Sequence, residues 1–99
     1  PVIMEPIMLL NVHAPDDFVG DIISDINAKR GKIEVMRRHN DYLQEVVADV
    51  PLSELFGYST RIRSISQGRA SYSLEFKKYE IAPQQVQNEV LRRIRGYAD

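Results

Sequence analysis

Residues 7–17 read Ile7-Met8-Leu9-Leu10-Asn11-Val12-His13-Ala14-Pro15-Asp16-Asp17, and within them the apolar period changes from that of a strand to that of a helix. Over residues 7–13, Met8, Leu10 and Val12 share one face of a strand. Pro15 suits a first helical position, where a missing N–H costs nothing. Asp16 and Asp17 put negative charge at the positive end of a helix dipole. Phe18, Ile22 and Ile26 then fall at i, i+4 and i+8, flanked by Val19 and Ile23. This helix is predicted to stop near Lys29-Arg30, with Gly31 taking the left-handed conformation that ends it.

The downstream sequence repeats the alternation of elements. Lys32–Arg37 reads as a strand, His39-Asn40-Asp41 as a turn, and Tyr42–Val50 as a strand with Val46, Ala48 and Val50 on one face. Pro51 stops it. Leu52, Leu55 and Phe56 suggest a helical turn, Gly57 interrupts it, and Ser59, Ile62 and Ile65 resume helical spacing. After a turn at Gln67-Gly68, Ala70, Tyr72, Leu74 and Phe76 are expected inward and Ser71, Ser73 and Glu75 outward. Beyond Pro83, Val86, Val90 and Ile94 form a last helical stripe that Gly96 is expected to close.

The order strand, helix, strand, strand, helix, strand describes two right-handed split βαβ units. It predicts an α+β, ferredoxin-like βαββαβ sandwich. Four antiparallel strands carry two helices on one face, with an extra C-terminal helix, as a single domain over residues 1–99. That architecture hosts many functions and selects none.

Composition narrows the field. The chain has 99 residues, 43% hydrophobic and 27% charged, with no cysteine and a formal net charge of −1. Disulfide frameworks and thiolate metal sites are excluded. No apolar run reaches the length of a bilayer span, and no signal-peptide pattern opens the chain, so a cytoplasmic protein without a membrane partner is expected. A start at Pro1 rather than methionine suggests a segment of a larger protein. Basic residues cluster: Lys29, Arg30, Lys32, Arg37 and Arg38 fall together, and Arg61, Arg63 and Arg69 form a second group without an intervening acid. Such patches bind phosphate, but most are solvated faces.

Catalytic constellations are absent from the sequence. No glycine-rich phosphate loop occurs, the serines include no nucleophile elbow, and His13 and His39 lie on different elements without a second histidine at i+4. Asp17, Asp21 and Asp25 line one helix face, where a solvated acidic surface is the simpler reading than a cation site. An acylphosphatase-type enzyme would need an arginine-bearing anion loop, which Asn11–Asp17 does not supply. RNA-recognition motifs share the fold but stack bases on sheet aromatics. The third strand has none over Leu43–Asp49, and Tyr72 and Phe76 are in the inward phase. Contact with RNA would therefore come from loops and helix ends.

Several runs resemble the last domain of elongation factor G. They are Glu5-Pro6-Ile7-Met8, Lys29-Arg30-Gly31, Val50-Pro51-Leu52-Ser53-Glu54-Leu55-Phe56-Gly57-Tyr58-Ser59-Thr60 and Arg63-Ser64-Ile65-Ser66-Gln67-Gly68-Arg69-Ala70, then Glu75-Phe76 and Tyr79. They occur in family order from about residue 5 to 80. The resemblance implies a non-enzymatic domain of a translational GTPase, with no cofactor of its own. GTP and magnesium would lie in an N-terminal domain of the parent. It also implies docking on large-subunit ribosomal RNA near the sarcin–ricin loop and stalk base, with a stalk-base protein and neighbouring domains as partners and no DNA.

By motif position, Arg63 and Ser64 would lie at that RNA loop, with Ser66, Gln67 and Arg69 on the same face. Lys29, Arg30 and Lys32 would approach the stalk base. Arg61 stands where the family commonly has an acid, which is expected to make this surface more basic. Ala14 stands where a capping threonine is common, leaving the first helix without a hydroxyl cap. The alternative is an autonomous ferredoxin-like regulatory or oligomerisation domain, suggested by Ile7 and Leu9 on the outward phase of the first strand. Elongation, recycling and ribosome-protection subtypes are not separated by these residues.

Overall fold

The computed structural model describes residues 2–98. Strand β1 (Met4–Pro15) leads into helix α1 (Asp16–Ala28), followed by β2 (Lys32–Arg38) and β3 (Leu43–Pro51). A 3-10 turn (Leu52–Glu54) precedes α2 (Tyr58–Ser66), β4 (Ser71–Ile81) and α3 (Gln84–Ala98). The sheet order is β2-β3-β1-β4, with every neighbouring pair antiparallel. This is the expected ferredoxin-like arrangement.

The core lies between one sheet face and the two helices. Leu10, Val12, Val46, Ala48 and Val50 from the sheet meet Val19, Ile22 and Ile26 of α1 and Tyr58 and Ile62 of α2. Leu10 and Ile22 are fully buried, so truncating either to alanine removes about 2–5 kcal/mol of stability. The inward phase of β1 is confirmed by register: Leu10 faces Ala48 and Leu74, and Val12 faces Val46 and Tyr72.

Several local expectations are corrected. Pro15 is not inside α1 but is its N-cap residue, in extended geometry and without a side-chain cap. The first helical N–H, that of Asp16, donates instead to the Tyr42 carbonyl at 3.0 Å, so the β2–β3 turn caps the helix. At the other end Arg30, not Gly31, takes the left-handed conformation (φ 58°). Gly31 donates to the Ile26 carbonyl at 2.9 Å, and a Cβ on it would lie 2.5 Å from Ile26 Cγ2. Glycine is required there for close packing rather than for handedness. Gly96 does not close α3, which runs on to Ala98.

Phe76 is not a core residue but is 54% exposed. A register shift between Ile7 and Met8 pairs Met8 with Phe76 and Ile7 with Lys78, so Lys77 is an extra residue in β4. Phe76 itself keeps the phase of Tyr72 and Leu74; the bulge follows it and brings Tyr79 beside its ring, centroids 5.1 Å apart, on a part of the sheet face outside the buried core. Ile7, expected to be an outward apolar residue needing a partner, is 4% exposed. The Ala82 amide donates to the Ile3 carbonyl at 2.8 Å, and Gln87 bridges the Ile3 amide and the Ala82 carbonyl, drawing the segment after β4 across the start of the chain. Ile7 therefore supplies no open surface for self-association.

Candidate nucleic-acid interface

The basic residues expected at the interface divide into two groups at opposite ends of the helix layer. Strands β1 and β3 are antiparallel, so α1 and α2, which follow them, also run in opposite directions. Lys29, Arg30 and Lys32 lie where α1 ends and α2 begins. Arg63, Ser64, Ser66, Gln67 and Arg69 lie where α2 ends and β4 begins.

At the α2–β4 junction the backbone is tightly specified. Gln67 (φ 54°) and Gly68 (φ 77°) both take left-handed conformations. The Gly68 amide returns to the Arg63 carbonyl at 2.9 Å, and the Arg69 amide to the Ser66 carbonyl at 3.0 Å. Ser66 is wholly buried; its hydroxyl donates to the Ile62 carbonyl at 2.7 Å and accepts from the Ala70 amide at 3.1 Å. It is a clamp on the junction, not a surface group. Arg63, Ser64, Gln67 and Arg69 remain exposed around it. Arg63 borders a shallow hollow shared with Ser59, Ser71 and Tyr72.

Charge pairing separates these arginines from the other cations of the sheet and of the α1–α2 layer. Lys29, Arg30, Arg37, Arg38, Arg61, Lys77 and Lys78 each face a carboxylate. Among the described residues, Arg63 and Arg69 face none. Arg69 instead lies over the Phe18 ring, 5.7 Å from its centroid. Two guanidinium groups with exposed donors at a rigid turn are suited to phosphate oxygens.

The opposite end is different. Arg30 makes a two-pronged contact with Glu5, 3.0 Å on each arm, and reaches Ser53 Oγ at 3.3 Å. Its hydrogen bonds to Glu5 push its already high pKa further up. Lys29 is held by Asp25 at 3.1 Å. Lys32 is largely solvated, with only a loose contact of 3.7 Å to Glu34.

Spacing does not reveal several of these partners. Asp25, expected to belong to a solvated acidic face, is 6% exposed and binds both Lys29 and Arg61 through Oδ1. Arg61 is exposed, but its Nε is paired with the buried Asp25, so its charge is offset by a carboxylate of α1 rather than simply added to the surface as expected. Burial, followed by the nearby Asp25 charge and Tyr72, drives the Tyr58 phenol well above its usual range. Glu5 and Phe18 likewise act on arginines far away in sequence. Among the described residues no group of three or more histidines and carboxylates is arranged to hold a metal ion, and no helix is long and apolar enough to cross a membrane.

Comparison with known proteins places this geometry in a family. Residues 2–90 match the family described as Elongation factor G C-terminus. Over 91 residues the chain is 53% identical to elongation factor G of Salinibacter ruber, a match covering 92% of this chain and 13% of that protein. It is 45% identical over 92 residues to elongation factor G of Thermotoga maritima, covering 93% of this chain and again 13% of the relative. A crystal structure of a Thermus thermophilus protein matches with a TM-score of 0.87 at 36% identity, over 93% of this chain and 14% of that one. The chain thus spans a small part of the length of the relatives it matches. With fold, motif order and sequence in agreement, this chain belongs to the elongation factor G C-terminus family.

Proposed function

We propose that the chain is the ribosome-docking domain of a cytoplasmic translational GTPase, and that its α2–β4 junction binds large-subunit ribosomal RNA near the sarcin–ricin loop. In this reading the domain performs no chemistry. GTP and magnesium belong to another domain of the parent, and docking here supports GTP-dependent translocation. The observation that carries the reading is the pairing pattern. Most cations of the domain are neutralised by their own carboxylates, whereas Arg63 and Arg69 stand exposed beside Ser64 and Gln67 on a clamped turn. Backbone contacts of this kind position a protein on RNA without a stacking platform.

Lys32, and less directly Lys29 and Arg30, are assigned to the stalk base and its protein. Their carboxylate partners make them the weaker contact. The test uses the full-length protein. Arg63→Ala is expected to lower ribosome-stimulated GTP turnover while leaving nucleotide binding without ribosomes unchanged. Unaltered turnover removes Arg63 from the interface. An autonomous oligomerisation role loses half of its support with Ile7 buried, while Leu9 is half-buried. A dimer that resists dilution in sedimentation would restore it.

A further inference from the structure

The Arg69 guanidinium and the Phe18 ring meet across the top of the helix layer, between the first turn of α1 and the turn entering β4. The ring is partly buried and packs on the core, so it is a fixed platform rather than a swinging side chain. The backbone of Arg69 is fixed too: its amide is bound to Ser66, and the next amide, that of Ala70, to the Ser66 hydroxyl. With no carboxylate facing Arg69 among the described residues, the aromatic face is the partner its charged end has. A guanidinium held near a ring face by cation–π attraction keeps N–H groups free to donate, and less freedom is lost when a phosphate arrives.

We infer that Phe18 is a positioning residue for RNA: it holds the Arg69 guanidinium near its ring face, so that the charge meets the sugar–phosphate backbone with less freedom left to lose. This rests on the docking reading above. It adds that α1, which carries an acidic first turn and no predicted contact, contributes to the interface through one apolar side chain.

The test is a double-mutant cycle in the full-length protein, with affinity for purified large ribosomal subunits measured at two salt concentrations. Phe18→Leu, which keeps apolar volume, is expected to weaken binding about two- to five-fold. In an Arg69→Ala background it should weaken binding no further. Phe18→Tyr should bind like the wild type. Arg69→Ala should lower the salt dependence by about one ion, and Phe18→Leu should not, since the charge remains. Equal losses from Phe18→Leu in both backgrounds would overturn the inference and reduce Phe18 to a packing residue. Loss of binding in Arg63→Ala but not Arg69→Ala would also overturn it while the docking reading stands. No loss in either arginine variant would remove the docking reading itself. Thermal unfolding of each variant separates loss of fold from loss of contact.

Discussion

Asp25 and Arg61 are 36 residues apart in sequence, yet Arg61 Nε donates to Asp25 Oδ1 at 3.0 Å across the α1–α2 contact. The carboxylate is 4% exposed and the guanidinium 57%. The pair ties α2, which leads into the α2–β4 junction, to α1, which carries Phe18. Asp25→Ala leaves Arg61 and Lys29 without their partner, but both can turn to water. The expected cost is about 1–2 kcal/mol, read as a lower denaturant midpoint with an unchanged slope. An unchanged midpoint would show the pair to be incidental.

Gly31 and Gly20 should respond in opposite ways to the same substitution. A Cβ on Gly31 meets Ile26 Cγ2 at 2.5 Å and the Ile26 carbonyl oxygen at 2.7 Å, and backbone cannot step aside cheaply. Gly31→Ala should destabilise by about 1–3 kcal/mol. Gly20 sits inside α1 with nothing within 4 Å of a Cβ. Gly20→Ala should stabilise by about 0.5–1 kcal/mol through helix propensity. Thermal unfolding of the two variants checks both signs.

Ser66→Ala should cost about 1–3 kcal/mol, because it leaves the part-buried Ala70 amide unpaired. It should also weaken ribosome binding although Ser66 touches no partner, since Arg63 and Arg69 flank the turn it clamps. Ser66→Thr, which retains the hydroxyl, should recover more of the binding than Ser66→Val. Equal binding by all three variants would mean the junction does not depend on this clamp.

Acid should loosen the open sheet face. Glu45 accepts from Asn11 Nδ2 at 2.8 Å and from Arg37, and these bonds hold its carboxyl below the usual range. Asp16 is lowered in the same way by Gln44 at 2.8 Å and Arg38 at 3.2 Å. A carboxylate with a depressed folded-state pKa stabilises the fold above its unfolded-state pKa, and that contribution is lost as pH falls through the folded-state value. Stability should therefore fall below about pH 5 as these groups protonate. Glu45→Gln should be less stable at neutral pH and lose less on acidification. Parallel pH profiles for the variant and the wild type would contradict this.

Periodicity carries the fold, while long-range pairing hides much of the site. Val12, Ile22, Val46 and Ile62 lie where the sequence puts them because each repeats at the period of its element. Phe76 keeps its inward phase opposite Met8 yet is exposed, because alternation records the face of a strand and not how far the helices cover it. Glycine's general preference points to Gly31 for the left-handed turn after α1. Arg30 takes that conformation instead, and its side chain reaches Glu5, 25 residues away. The exposed arginines at the α2–β4 junction are legible through the motif. Which basic residues are neutralised depends on partners such as Asp25 and Glu5, far away in sequence.

Docking through the α2–β4 junction is tested most plainly by tethered cleavage on the intact ribosome. This chain has no cysteine, so after removal of any others in the full-length protein, a single Ser64→Cys change can carry an iron chelate that cleaves nearby RNA. Strong cuts confined to one large-subunit loop, the sarcin–ricin loop, with none in that loop from a probe at Asn88 on α3, beyond the far end of β4, are the predicted result. Efficient ribosome binding without cuts from position 64, or with cuts in that loop only from position 88, would contradict docking through this junction.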